Sequence, residues 1–352
     1  MDEIRIGDKL VGSKHKPFII AELSANHGQS LEKALRLVDA AAEVGADAIK
    51  LQTYTADTIT IDVGTNEFLI DDPDSLWQGI SLYELYQKAM TPWQWHKEIF
   101  ERATSLGMTF FSTPFDDTAV DFLESLSVPC YKIASFENID HGLLKKVART
   151  NKPVIMSTGM ASLEELTESV AVLKENGCKD LILLKCTSSY PAEPIDANIV
   201  TISKLRELFG CQVGLSDHTL GLGVSVASVA LGATVIEKHF VLDRDDNDID
   251  SAFSLEPEEL KNLIIETKRA WQSLGEVSFT PTPKEVKSQK HRRSLYICED
   301  LKAGDILNEK NLRSIRPGLG LPPKYLDEVL GKPVKQDVKK GTALSWDLVS
   351  TR

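Results

Sequence analysis

No two cysteines in this 352-residue chain are spaced as C-x-x-C, and the five present, Cys130, Cys178, Cys186, Cys211 and Cys298, are scattered and odd in number. That pattern does not suit a disulfide framework and points to a reducing setting. Positive charge is also scarce: 40 Lys and Arg stand against 52 Asp and Glu, a formal net charge of -12. Such a balance argues against broad attraction to nucleic acid or to an anionic membrane surface, so an anionic substrate must be held by a local basic site. No uninterrupted apolar run approaches the roughly 20 residues of a bilayer span. The opening MDEIRIGDKL lacks the basic flank and apolar stretch of an export signal. The expectation is a cytoplasmic protein with neither a membrane nor a nucleic-acid partner. What the chain does have is 42% hydrophobic residues, an ordinary globular content that over this length suits one large domain and a small one.

Short β-type runs alternate with longer amphipathic stretches from Phe18 to about Trp271, the pattern of strand-helix units on a parallel sheet. The candidate strands are FIIAEL (18–23), DAIKLQT (47–53), MTFFST (108–113), PCYKIAS (129–135), PVIMST (153–158), LILLKCT (181–187), QVGLS (212–216) and TVIEKHF (234–240). Between the first two, Leu31, Leu35, Val38 and Ala42 keep to one helical stripe that Gly45 stops, and ASLEELTESVAVLKENG reads likewise, from Ser162 as N-cap to Gly177. Eight consecutive units imply a closed (β/α)8 TIM barrel over residues 1–275, with its chemistry where the strands end. Residues 276–293 read as a Pro-containing linker. Within 294–352, DLKAGDIL (300–307) and DVKKGTAL (337–344) repeat D-x-K-x-G-x-x-L, predicting a compact, turn-rich β module with pseudo-twofold character. A module of about 60 residues gains stability by docking on another surface.

The strand ends carry the information. In order they hold Glu22; Lys50 and Gln52; Ser112 and Thr113; Lys132 and Ser135, then Glu137; Ser157 and Thr158; Thr187, Ser188 and Tyr190; Ser216, Asp217 and His218; Glu237 and His239. A charge in a barrel strand is expensive unless it is paired or functional. Lys50 and Lys132 among hydroxyls make an anion cradle; alternatively they are core ion pairs with Glu22 and Glu137, and both readings stand for the empty protein. His218 and His239, on adjacent strand ends, suit a divalent metal that keeps open positions. His15, His27, His96, His141 and His291 lack such partners, although His27 follows the first strand at the mouth. The tract DRDDNDID (243–250) reads as a solvated loop from which one carboxylate reaches the mouth, and Tyr83, Tyr86, Trp93 and Trp95 read as helix packing.

Taken in order, IAELSANH, KLQTY, FSTPF, YKIASFE, MSTGM, KCTSSYP, GLSDHT and IEKHF resemble the sialic acid synthase family across nearly the whole chain, and RRSLY with RPGLGLPP resembles the antifreeze-like (SAF) domain that ends its members. Within the family, ELSANH, KIASFE and DSAFSLEP sit nearer the pseudaminic branch than the sialic or legionaminic branches. The resemblance implies condensation of phosphoenolpyruvate with an amino-sugar aldehyde. It implies that Lys50, Thr113, Lys132, Ser135, Ser157, Ser188 and Ser216 bind phosphoenolpyruvate, with Ser188 standing where sialic acid synthases often have asparagine. His218 and His239 are implied as ligands of Mn²⁺, or of Mg²⁺ or Co²⁺, and as catalytic together with Glu22 and Glu237. Gln52, Glu137, Tyr190 and Asp250 are implied around the sugar or the reacting water, Asp248 being the alternative to Asp250. Arg316 is implied to reach the partner's barrel mouth in a domain-swapped homodimer. Two rivals stay open: a Schiff-base aldolase using Lys132, and a non-catalytic sugar-binding barrel.

Overall fold

The computed structural model describes residues 3–73 and 75–350, and the chain divides into two compact units, Met1–Gly275 and Glu276–Arg352. In the first, eight parallel strands close into a barrel in chain order: β1 (Phe18–Glu22), β2 (Ala48–Thr53), β3 (Thr109–Pro114), β4 (Tyr131–Ile133), β5 (Val154–Ser157), β6 (Leu181–Cys186), β7 (Gln212–Ser216) and β8 (Val235–His239). Helices connect them on the outside, so the expected TIM barrel is the fold. The helix Leu31–Val44 starts on the Ser30 side chain and ends at Gly45, whose φ of 91° explains the glycine. Ser162 and Glu165 form a capping box at the start of Leu163–Glu175.

The period of two along each strand sorts side chains into two populations. Outward-facing Ile19, Ile49, Phe110, Ile133, Leu215 and Ile236 join the apolar stripes of the helices in one large layer. Inward-facing Phe18, Ile20, Phe111, Ile182, Leu184 and Val235 pack with Ile4, Ile6 and Val11 of an N-terminal hairpin, which fills the end of the barrel where strands begin. Register sets the other end: Glu22 lies between Lys50 on β2 and His239 on β8, and Ser216 on β7 pairs with Glu237. The inward positions that remain at the strand ends are the polar ones.

In the second unit, the segment expected as a linker contains a short helix, Pro283–Ser288, started by a Thr282–Glu285 capping box. Strands β9 (Ser294–Ile297) and β10 (Leu312–Ile315) are antiparallel. The repeated motif forms a reciprocal clasp. Lys339 Nζ meets Asp300 Oδ2 and Lys302 Nζ meets Asp337 Oδ2, each at 2.7 Å, while the backbone of Lys340 and Ala303 donates to the second oxygen of the same aspartates at 2.9 and 3.0 Å. Exposed ion pairs contribute little; the backbone bonds and the apolar cluster of Leu295, Leu307, Leu312, Val329 and Leu344 hold the unit.

Gly214 on β7 faces inward where a Cβ would overlap the Val235 carbonyl oxygen and stand 2.7 Å from Leu184 Cδ2. Gly214→Ala should therefore lower stability by about 3 kcal/mol, read as a fall in the urea midpoint. An unchanged midpoint would show that the barrel relaxes around the methyl group.

Candidate active site

Four charged side chains alternate in sign inside the barrel mouth, all of them buried. Lys50 Nζ touches Glu22 Oε2, lies 3.2 Å from Thr113 Oγ1 and 3.7 Å from Glu237 Oε1. Lys132 Nζ lies 3.7 Å from the same Glu237 oxygen and donates to Ser157 Oγ at 2.8 Å. Ser216 Oγ donates to Glu237 Oε1 at 3.4 Å. Lys50 does pair with Glu22, but the carboxylate of Lys132 is Glu237 and not Glu137, because Glu237 faces inward from β8 whereas Glu137 sits in the turn after β4. Both Glu237 Oε2 and Glu137 Oε2 are buried without a hydrogen-bond partner, which leaves acceptors that a ligand's hydroxyl or ammonium group would satisfy.

Burial and neighbours separate these groups. Burial pushes Glu22 up to about 7, with Lys50 pulling it the other way. Burial acts likewise on Glu237, but Lys132 and Lys50 outweigh it and hold that carboxyl below its ordinary range. Burial lowers Lys132, whereas Glu22 and Glu237 overcome burial at Lys50 and raise it. With Glu22 protonated the four groups sum to one positive charge, and with it ionised to zero. The cluster can therefore exchange one proton near neutral pH while an anion binds.

Hydroxyls collect on one side. Ser135 and Ser188 follow β4 and β6, and between them Gly159 brings its backbone so close that a Cβ there would overlap both hydroxyls. Gly159 N donates to Ser135 Oγ, and Asn138 Nδ2 donates to the carbonyls of Ser157 and Gly159, each at 3.2 Å. This is a cradle of hydroxyls, positioned by the Gly159 backbone, on the Lys132 side of the mouth, the chemistry of a phosphate or carboxylate site.

Imidazoles and acids collect on the other side. The His218 and His239 rings are 5.4 Å apart. His218 Nδ1–H donates to the Thr187 carbonyl at 2.9 Å and lies 3.9 Å from Cys186 Sγ. Burial lowers its pKa, but Cys186 and that carbonyl outweigh burial and raise it, and in the neutral ring Nε2 keeps the lone pair. His239 Nδ1 is buried without a hydrogen-bond partner, 3.8 Å from Asp250 Oδ2, and burial with His218 and Lys50 nearby holds its pKa well below the ordinary value. Two imidazoles on neighbouring strand ends, one with an orphaned nitrogen, fit a divalent cation that takes its remaining ligands from substrate and water and displaces any proton from His218. Among the described residues no group of three or more His, Cys, Asp or Glu is set to hold a metal.

Asp250, not Asp248, faces the site: Ser24 Oγ donates to Asp250 and accepts from Gln52 Nε2 at 3.1 Å, while Asp248 and Asp246 bind Lys33. Tyr190 lies 4.5 Å from the His218 ring. The barrel residues expected at the site thus share one mouth; Arg316 is exposed in the C-terminal unit. His27 does not line the mouth. Its ring is buried against Trp95, with Nε2 3.1 Å from Thr91 Oγ1. Ser112 likewise points outward, to Thr53. The aromatics of 81–96 pack as expected, Trp93 on Phe122 and Tyr86 against Tyr54. Sequence reasoning missed Ser24, Asn138, Gly159 and Phe253, the last 5.0 Å from the His239 ring; three lie inside quoted motifs and Asn138 directly follows YKIASFE, and that was the available signal.

Burial also pushes Glu137 up to about 7 from an ordinary 4.5. Between these values the folded protein binds more protons than the unfolded chain, so stability falls as pH rises through the window. Glu137→Gln should gain about 2 kcal/mol on the unaltered protein between about pH 5 and about pH 8, measured by urea unfolding at both ends. A difference that stays constant with pH would refute the burial of an acid there.

The model of the NeuB family matches residues 37–279, and that of the SAF domain residues 292–350. The chain is 46% identical over 329 residues to "Pseudaminic acid synthase" of Campylobacter jejuni subsp. jejuni serotype O:2, covering 94% of this chain and 95% of that one. It is 43% identical to the protein of the same name from Helicobacter pylori, covering 94% and 97%. Among solved structures it is similar to N-acetylneuraminic acid synthetase from Leptospira borgpetersenii serovar Hardjo-bovis in complex with citrate, with a TM-score of 0.72 and 34% identity over 82% of this chain and 95% of that one. With its barrel, its charged mouth and its C-terminal unit, the chain belongs to the NeuB family and carries a SAF domain.

Proposed function

We propose that this chain joins phosphoenolpyruvate and water to open-chain 2,4-diacetamido-2,4,6-trideoxy-L-altrose, giving pseudaminic acid and phosphate. The observation that carries the reading is the buried Glu22–Lys50–Glu237–Lys132 cluster beside two neighbouring imidazoles, in a chain whose likeness to pseudaminic acid synthases runs over nearly its whole length.

Lys50 and Lys132, with Thr113, Ser135, Ser157, Ser188 and Ser216, hold the carboxylate and phosphate of the donor by charge-assisted bonds. Gln52, Glu137, Tyr190 and Asp250 orient the sugar. The donor's methylene carbon bonds to the aldehyde carbon, whose oxygen takes a proton. Water adds to the neighbouring carbon, and the bond from that carbon to the bridging oxygen breaks, so that this oxygen leaves with phosphate. Glu22, poised near neutrality, holds or releases the proton, and Glu237 stays ionised against the lysines. His218 and His239 would hold Mn²⁺, or Mg²⁺ or Co²⁺, whose Lewis acidity toward the aldehyde oxygen is what the cation supplies. Five unpaired cysteines support a cytoplasmic setting.

Phosphate release assayed against a panel of acceptors should be fastest with the L-altro trideoxyhexose, by about 100-fold over N-acetylmannosamine. Chelation should abolish it and Mn²⁺ restore it. Preference for another acceptor would move the chain to a legionaminic or sialic acid synthase, and full turnover after chelation would overturn the metal. Borohydride with pyruvate should leave Lys132 unmodified; a trapped adduct would favour the aldolase.

A homodimer in which the C-terminal unit serves its partner is supported by charge. Residues 276–352 carry 15 Lys and Arg against 10 Asp and Glu, whereas residues 1–275 carry 25 against 42. It is supported also by apolar side chains exposed in loops after adjacent barrel strands: Phe136, Met160, Ile195 and Leu220. Arg316 then adds positive charge at the partner's mouth. Mixing Arg316→Ala chains with His218→Ala chains, each inactive alone, should partly restore activity through heterodimers with one intact site. No recovery, with subunit exchange verified, would place Arg316 in its own chain's chemistry or in none.

A further inference from the structure

The residues that immediately precede the two imidazoles point the opposite way. Asp217 and Lys238 leave the barrel axis for the apolar layer under the helices, among Leu215, Ile236 and Phe240. Lys238 is 1% exposed. Its Nζ lies 3.3 Å from Asp217 Oδ2 and donates to the Thr219 carbonyl oxygen. Asp217 Oδ1 accepts from Thr219 N at 2.9 Å and Thr219 Oγ1 at 2.7 Å, and its Oδ2 accepts from Ser225 Oγ at 2.5 Å.

A buried ion pair is a poor source of stability, since well-packed apolar residues serve as well or better in such a layer. What this pair does achieve is local. Three of its bonds end on Thr219, the residue after His218, and the cation making one of them is the residue before His239. The backbone on both sides of His218 is thereby tied to β8, with Asp217 N also donating to Glu237 O at 3.0 Å.

Resting on the reading that the two histidines hold a divalent cation, we infer that the Lys238–Asp217 pair is a positioning device that sets His218 against His239 and thereby sets cation affinity. Neither residue touches substrate or cation. Groups that orient metal-ligating histidines commonly change affinity by about 10- to 100-fold when lost, and this pair acts through the backbone instead of the ring.

The test titrates metal-stripped, full-length protein with Mn²⁺ and reads free Mn²⁺ by electron paramagnetic resonance. Lys238→Met alone leaves Asp217 buried and unpaired, so the informative variant is the charge-neutral Asp217→Asn/Lys238→Met. Ser225→Ala, which removes one hydrogen bond and keeps the pair, is the milder companion should the double variant not fold. Thr267→Val, buried in the same layer but bonded only within its own helix, is the control. The double variant should bind Mn²⁺ about 10- to 100-fold more weakly, with a circular dichroism spectrum like that of the unaltered protein. Ser225→Ala should weaken binding about threefold on the same scale, and Thr267→Val should leave it unchanged. Unchanged affinity in the folded double variant, or in Ser225→Ala where the double does not fold, overturns the inference, as does an equal loss in Thr267→Val, which would mark a general effect of destabilisation. His218→Ala separates the two levels: if it binds Mn²⁺ as tightly as the unaltered protein, the metal assignment itself fails and the positioning role fails with it.

Discussion

Two lysines and two glutamates inside a barrel must neutralise one another, and that requirement organises the mouth. Isolated, any one of them would lose the solvation that makes its charge tolerable. Alternation in space solves this: Glu237 lies 3.7 Å from both lysines, and Glu22 touches the lysine on its own side. The solution depends on register, since Glu22 meets Lys50 across β1 and β2 and meets His239 across β1 and β8. A slip of one residue in either strand would turn a charge into the apolar layer. The apolar plug of hairpin and lower strands is thus more than filling, because it holds the register on which the charges rely.

Neutralisation is incomplete in a useful way. Lys50 is shared between two carboxylates and held firmly charged, whereas Lys132 has one distant carboxylate, Glu237, and otherwise neutral acceptors, the Ser157 hydroxyl and the Ile133 carbonyl. Lys132 is therefore the cation with more to gain from an added anion. It is also the one beside the Ser135–Gly159–Ser188 cradle.

Much of this was legible from the chain itself, and the reason is periodic. Eight apolar runs ending in polar residues, separated by capped amphipathic stretches, admit few arrangements other than a closed barrel, so the linear pattern alone assigns Lys50, Lys132, His218 and His239 to one mouth. Legibility stopped where a side chain's direction is set by a loop. Lys132 was paired with Glu137 by nearness in sequence, but the inward face of β8 supplies Glu237. His27 was placed at the mouth by its position after β1, but the turn at residues 24–29, with positive φ at Ser24, Gly28 and Gln29, folds the ring under Trp95. Asp248 and Asp250 are two residues apart and indistinguishable by composition; Lys33, more than 200 residues away in sequence, claims the first and leaves the second to the site. Asp217 counts among the polar strand ends in sequence but turns away from the mouth to meet Lys238; nothing in a linear pattern shows that two charges share a buried layer.

The mouth is divided, and the division gives the proposed chemistry its direction. Hydroxyls and the freer lysine lie on the β4 to β6 side; imidazoles, Asp250, Ser24 and Gln52 lie on the side from β7 round to β2. An anionic donor on the first side and an aldehyde on the second would meet above Glu22 and Glu237. Those two carboxyls share surroundings yet are driven apart, one up to about 7 and the other below its ordinary range. The cause is geometric: Glu237 sees two cations at equal distance, Glu22 sees mainly one, and burial presses on both. Similar acids with separated proton affinities are how one site holds a fixed charge and a movable proton together. In the proposed reaction the fixed charge would keep the lysines in place while a donor comes and goes, and the movable proton would serve the oxygen that must gain one.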